Sequence, residues 1–127
     1  MTRAVEYLDL DDLIFLASGL LGDPPPIRDA GLLGSAAARP QTTVMGEDAY
    51  ADVWEKAAAL LQSIVKSHAL VDGNKRLGWL ATAVFLDLNG VDVTSISNDD
   101  VYRFVLEVAG GHHSIEELAG TLRHLTA

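Results

Sequence analysis

His68, Asp72, Lys75 and Arg76 fall within one run of nine residues, His68-Ala69-Leu70-Val71-Asp72-Gly73-Asn74-Lys75-Arg76. An imidazole titrates near neutrality and can take a proton from an attacking hydroxyl. A carboxylate such as Asp72 is a hard oxygen ligand of the kind that holds Mg²⁺ together with substrate phosphates. Arg76 offers a two-pronged clamp for phosphate and Lys75 a point charge. Gly73 lets the backbone turn tightly, and Asn74, Lys75 and Arg76 then open a helix whose first amides are unpaired and partly positive. Taken singly, His68 reads as a helix-dipole partner and Asp72 as a cap or turn former. Together with two cations and a glycine turn, they point to an anion site, with phosphate as the anion. The glycine and lysine spacing does not match G-x-x-x-x-G-K-[ST], so the run is not a P-loop.

Such a loop needs a helix on either side. Upstream, Val53, Ala57, Leu60, Leu61, Ile64 and Val65 mark one face of a long helix from about Tyr50 to Ser67, introduced by Glu47 and Asp48. His68 continues the row from Ile64, so its ring is expected to point inward at the helix end. Downstream, Leu77 to Leu88 is apolar almost all round, which predicts a central, buried helix ended at Asn89-Gly90. Trp54 and Trp79 read as core residues of these two helices.

The remaining elements also read as helices. Leu10 to Leu21 has helical apolar spacing behind a capping pair, Asp9 and Asp12, and Gly22 with Pro24-Pro25-Pro26 ends it. Residues 23–48 are irregular, with a short helix over Gly31 to Ala38 and an extended excursion or flap over Gln41 to Gly46. Arg28-Asp29 reads either as a helix-start ion pair or as a functional loop element. Ser97 or Asn98 caps a helix carrying Val101, Phe104, Val105 and Val108. Ser114 and Glu117 form a capping box for a last helix through Ile115, Leu118, Leu122 and Leu125. The adjacent His112 and His113 read as a solvated loop rather than a metal site. The fold expected is an all-α, compact helical bundle around a buried central helix, a single domain over residues 1–127.

Composition narrows the function. The 127 residues carry a formal net charge of −9, yet Lys66, Lys75 and Arg76, three of the nine Lys and Arg residues, sit at or beside the loop. The acidic balance argues against direct nucleic-acid binding, which needs a broad cationic surface. It also disfavours an RNA-cutting activity. Zero cysteines exclude disulfides and thiolate metal sites and fit a cytoplasmic location. No secretory signal and no membrane-spanning stretch is expected.

The run from His68 to Arg76 resembles the signature loop of the Fic/Doc superfamily, His-x-(aromatic or apolar)-x-Asp/Glu-Gly-Asn-Gly/Lys-Arg. The order around it is similar too: a prolyl stretch, Arg28-Asp29-Ala30-Gly31-Leu32-Leu33, Ala38-Arg39-Pro40-Gln41, then the long helix, loop and central helix. Lys75, where most Fic enzymes have a second glycine, makes the chain look most like the Doc (death-on-curing) toxins. The resemblance implies a Fic-like fold and a toxin that uses ATP and Mg²⁺. It implies that His68 is the base for a target hydroxyl, that Asp72 holds Mg²⁺, and that Asn74 and Arg76 contact phosphates with the loop amides of Gly73 and Lys75. Most Fic members transfer AMP to a protein. Doc-type members transfer the terminal phosphate, and the best known silences elongation factor Tu. Lys75 favours γ-phosphate transfer here, while Gly73 keeps the turn like that of AMP-transferring relatives. Leu70 replaces the usual motif aromatic. A self-inhibitory Ser/Thr-x-x-x-Glu-Gly/Asn pattern is not found, since Thr43 to Asp48 ends in Asp, so inhibition by an antitoxin in trans is expected. A non-catalytic Fic-like interaction module is the alternative outside enzymology.

Overall fold

Among the described residues, 4–127 of the computed structural model, six α-helices form close to where the apolar spacing predicts them. They are α1 (Leu10–Leu21), α2 (Ala30–Ala38), α3 (Val53–Ser67), α4 (Asn74–Leu88), α5 (Asn98–Gly110) and α6 (Ile115–Leu125). A 3₁₀ turn over Arg39–Gln41 leads into a two-stranded antiparallel hairpin, β1 (Thr43–Val44) and β2 (Glu47–Asp48), with Thr43 opposite Asp48. The all-α bundle is therefore found, and the excursion expected over residues 41–46 is the hairpin.

The helix starts follow from side chains that accept an otherwise unpaired amide. Asp9, Asp29, Asp52, Ser97 and Ser114 each accept from the backbone three residues on. Such a cap is worth about 0.5–2 kcal/mol. Asp52 also explains where α3 departs from expectation. The helix begins at Val53, not Tyr50, because Glu47 and Asp48 are consumed in β2 and Asp52 supplies the cap. Among the described residues α4 alone starts without a side-chain cap, on Gly73 in the left-handed region at φ 86°.

The buried centre is a helix pair, α3 and α4. From α3, Lys56 to Leu61 is an unbroken buried run, because α2, α4, α5, α6 and the 3₁₀ turn pack around it. From α4, Leu77, Gly78, Ala81, Thr82, Phe85 and Leu86 are buried, while Trp79, Leu80, Ala83 and Val84 are half-buried. The helices approach so closely that a Cβ at Gly78 would sit 2.8 Å from Val65 Cγ2 and 3.2 Å from Leu61 Cδ1. That contact brings the end of α3 and the start of α4 together. No helix among the described residues is long and apolar enough to cross a membrane.

One buried charge belongs to the scaffold. Lys56 lies on the inner face of α3, 1% exposed, and its Nζ donates to Asp48 Oδ2 at 3.1 Å and to the Tyr50 carbonyl. Arg39 donates from Nε to the Tyr50 hydroxyl at 3.0 Å and stacks over that ring. The hairpin is thus anchored at its base by two cations reaching from the 3₁₀ turn and α3.

Gly78→Ala should overpack the α3–α4 contact and cost about 1–3 kcal/mol, read as a lowered midpoint in urea unfolding. Asp48→Ala should destabilise more than Lys56→Met. The first leaves a buried ammonium short of its counter-charge, whereas the second leaves a half-exposed carboxylate that water can reach. Paired unfolding curves of the two variants check the order.

Candidate active site

The loop between α3 and α4 is made by two left-handed residues. α3 stops at Ser67 because His68 takes φ 53° and ψ 42°. For a non-glycine residue this conformation costs roughly 1–2 kcal/mol, so other contacts must hold it. The reversal also swings the side chain outward. His68 does not continue the buried row from Ile64, as its helical spacing suggests; it is exposed. The second left-handed residue is Gly73, where a Cβ would also meet the Leu21 side chain at 2.7 Å.

Between these two points the loop is sewn down on both sides. Asn74 receives the Leu70 amide on Oδ1 and donates from Nδ2 to the Leu70 carbonyl, each at 3.0 Å. Its side-chain amide is thereby committed to the loop, and what it presents outward is its backbone N–H at the start of α4. Leu70 is buried, filling the motif's apolar position, and pairs with Ile27 in an isolated antiparallel bridge. The segment before α2 contributes further: the Arg28 and Asp29 amides donate to the Ala69 carbonyl at 2.8 and 3.0 Å, and the Val71 amide to the Pro26 carbonyl at 2.8 Å.

The outward groups converge on one cleft of about 890 Å³. His68, Asp72, Gly73, Asn74, Lys75 and Arg76 all line it, so every site residue read from the sequence lies there. Lys66 joins them, with its Nζ 2.5 Å from the Gly111 carbonyl. Asp72 and Arg76 face each other across the turn at 3.8 Å, with side chains 89% and 59% exposed. At that distance and exposure the pair contributes about 0–1 kcal/mol at most, so both groups are free to turn to a ligand. With no side chain capping α4, its first amides point the same way.

The opposite wall was not foreseen from the sequence. It is α5, through Asn98, Val101, Tyr102, Val105, Leu106 and Ala109, with Val71 and Trp79 beside it. Tyr102 and Val71 are 67% and 72% exposed, presenting apolar surface to the cleft. Their signal was the amphipathic pattern of α5, which marks an apolar face without saying that part of it borders a cavity. Trp79 is half-buried and lines the cleft rather than closing into the core. The cleft therefore sets the cationic loop against a largely apolar α5 wall.

A single exposed carboxylate beside uncapped amides fits a divalent ion shared with substrate phosphates better than an all-protein cage. Elsewhere, His113 is held between Glu107 (Nε2 to Oε1, 3.1 Å) and Glu117 (Nδ1 to Oε2, 3.5 Å), while His112 is exposed. Among the described residues no group of three His, Asp or Glu side chains is placed to hold a metal. Glu117 is held below the usual carboxylate range, first by the Ser114 amide and then by the Ser114 hydroxyl.

Known proteins match this chain over most of its length. Toxin Doc of Mycolicibacterium smegmatis is 45% identical over 123 residues, covering 96% of this chain and 95% of that one. Protein kinase doc of Escherichia phage P1 is 30% identical over 104 residues, covering 82% and 80%. The model of the Fic/DOC family matches residues 6–86, from before α1 to near the end of α4 and through the whole His68–Arg76 loop; the chain belongs to that family.

Proposed function

We propose that this chain is a toxin that transfers the γ-phosphate of ATP to a hydroxyl side chain of a target protein, blocking growth, as one domain over residues 1–127. The observation that carries it is His68, turned out of α3 into a cleft whose floor is the uncapped start of α4. The names of the two relatives, a toxin and a protein kinase, support the same reading.

The residues divide the work. The α4 amides, Arg76 and Lys75 bind and orient the phosphates, and their charge offsets that spreading over the equatorial oxygens in the transition state. Asp72 is the residue that would hold Mg²⁺, which neutralises charge across the nucleotide phosphates when bound. His68 takes the proton of the acceptor hydroxyl as its oxygen bonds to the γ-phosphorus, and the bond to ADP breaks. The apolar α5 wall takes the base, keeping the flat ring away from the cations. Asn74 serves by locking the loop through Leu70 rather than by its own side-chain contact to phosphate.

Lys75 favours the terminal phosphate. It is exposed on the cleft, and among the described residues no carboxylate pairs with it. Its side chain fills space beside the phosphates that a glycine would leave open, so a reversed nucleotide can present its γ-phosphate to His68. Elongation factor Tu, the target the family resemblance implies, is the first acceptor to test. A cognate antitoxin acting in trans supplies the inhibition.

His68→Ala should stay folded and lose transfer by roughly 10²–10⁴-fold, with growth arrest on expression abolished. Incubation with cell lysate and ATP labelled at the γ or the α position identifies the group moved. Label on protein from the γ position alone is expected; label from the α position alone makes the chain an AMP transferase, and label from neither makes it a binding module.

Asp72→Ala should remove the Mg²⁺ dependence of ATP binding, while Arg76→Ala weakens ATP binding with or without Mg²⁺. Titrations of each variant under both conditions separate the roles. Curves identical to wild type for both would remove these residues from the site.

A further inference from the structure

We propose that Arg28 is a positioning residue, holding the His68 carbonyl so that the imidazole stands over the start of α4. Arg28 and Asp29 do not pair with each other. Asp29 caps α2, accepting from the Leu32 amide at 3.0 Å. Arg28 turns to the loop, where its Nε donates to the His68 carbonyl at 2.9 Å and its Nη2 donates to the same oxygen. The planar fork aims two N–H donors at that one carbonyl oxygen, a geometry that an ammonium group cannot reproduce.

The contact sits where it controls the residue's orientation. His68 is in the left-handed region, so its carbonyl direction and its side-chain direction are fixed together by one pair of backbone angles. The neighbouring backbone bonds hold Ala69 and Val71 but leave the His68 carbonyl to the guanidinium. Among the described residues Arg28 pairs with no carboxylate, and it is absent from the lining of the cleft. Neither a salt bridge nor nucleotide contact accounts for its placement; the clamp does. Arg28 therefore acts on transfer through His68, and the proposal rests on His68 being the base.

The test uses Arg28→Ala, Arg28→Gln and Arg28→Lys in the full chain. Transfer of γ-label from ATP to protein of a dialysed lysate should fall roughly 10–100-fold in all three, as expected for a displaced catalytic group. Affinity for a non-hydrolysable ATP analogue, measured by calorimetry, should stay within about twofold of wild type, since ground-state binding is untouched. The backbone NMR shifts of His68 and Ala69 should move while those along α4 hold. Added to His68→Ala, Arg28→Ala should cause no further loss, because both act through one group. Wild-type transfer in Arg28→Ala, full rescue by Arg28→Lys, or an affinity loss matching the transfer loss would each overturn the role. An active His68→Ala variant overturns the base assignment and with it the catalytic half of this proposal. Unmoved His68 and Ala69 shifts in Arg28→Ala overturn the clamp itself, whatever the activity.

Discussion

The approach of α3 to α4 at Gly78 is the constraint from which the site follows. With the helices that close, the chain must leave α3 and enter α4 through residues 68–73, and it does so with a left-handed residue at each end. The first turns His68 out of its helix and exposes a carbonyl to be claimed. The second starts α4 on glycine, which has no side chain to offer the first amides. A capping Asp or Ser there would stabilise the helix and put an acceptor where the proposed phosphate would bind. The other five helices have such a cap, so α4 forgoes a contribution of about 0.5–2 kcal/mol and keeps its amides open. Stability is given up at the helix start that forms the loop side of the cleft, a departure from the local rule.

What the sequence revealed follows from which interactions are local. Helix limits are set by caps and turn formers within a few residues, so α1, α2, α5 and α6 are legible, as is the end of α4 at Asn89-Gly90. The grouping of the loop residues is legible for the same reason, since His68 to Arg76 is contiguous. The orientation of His68 is not legible. Helical periodicity carried across Ser67 puts the ring inside, and only the left-handed φ, held from a segment forty residues away, puts it outside. The α5 wall escaped for a related reason. Its apolar face serves partly as core, through Phe104 and Val108, and partly as the side of a cavity, through Tyr102 and Leu106. Those two uses leave the same pattern in the chain.

Lys56 shows the limit of reading polarity as exposure. It lies next to Ala57 and before Ala58, and a lysine there suggests a solvated turn of α3. Instead it is buried, because the hairpin folds back over it and supplies Asp48 and the Tyr50 carbonyl. A buried ammonium is tolerated only with such partners. The pairing gives the hairpin one register against α3, since sliding either way strands the charge. Arg39 acts similarly, stacking on Tyr50 while it donates to Gln62 and Ser63 on α3. The two scaffold cations thus define the base of an excursion whose own strands are too short to hold themselves.

The distribution of the remaining cations bears on what the cleft can accept. Arg103 and Arg123 are paired with Asp100 and Asp52 on the surface, and Lys56 and Arg39 are engaged in the scaffold. Arg28 is held on the His68 carbonyl, so among the described residues Lys66, Lys75 and Arg76 are the positive charge of the cleft, within a molecule of net charge −9. At a Debye length of about 8–10 Å the net negative charge is screened at a distance, and an anion meets the acidic surface only once it is close. A nucleic acid, which must lie across a broad surface to release its counterions, gains little from so small a positive area. A nucleotide whose phosphates are partly neutralised by a divalent ion meets less repulsion on the way in. In the proposed binding mode it would meet the cations and helix amides on one side and the apolar α5 wall on the other. Under the proposed function, the acidic exterior and the cationic mouth together favour compact, metal-complexed anions with a flat apolar part.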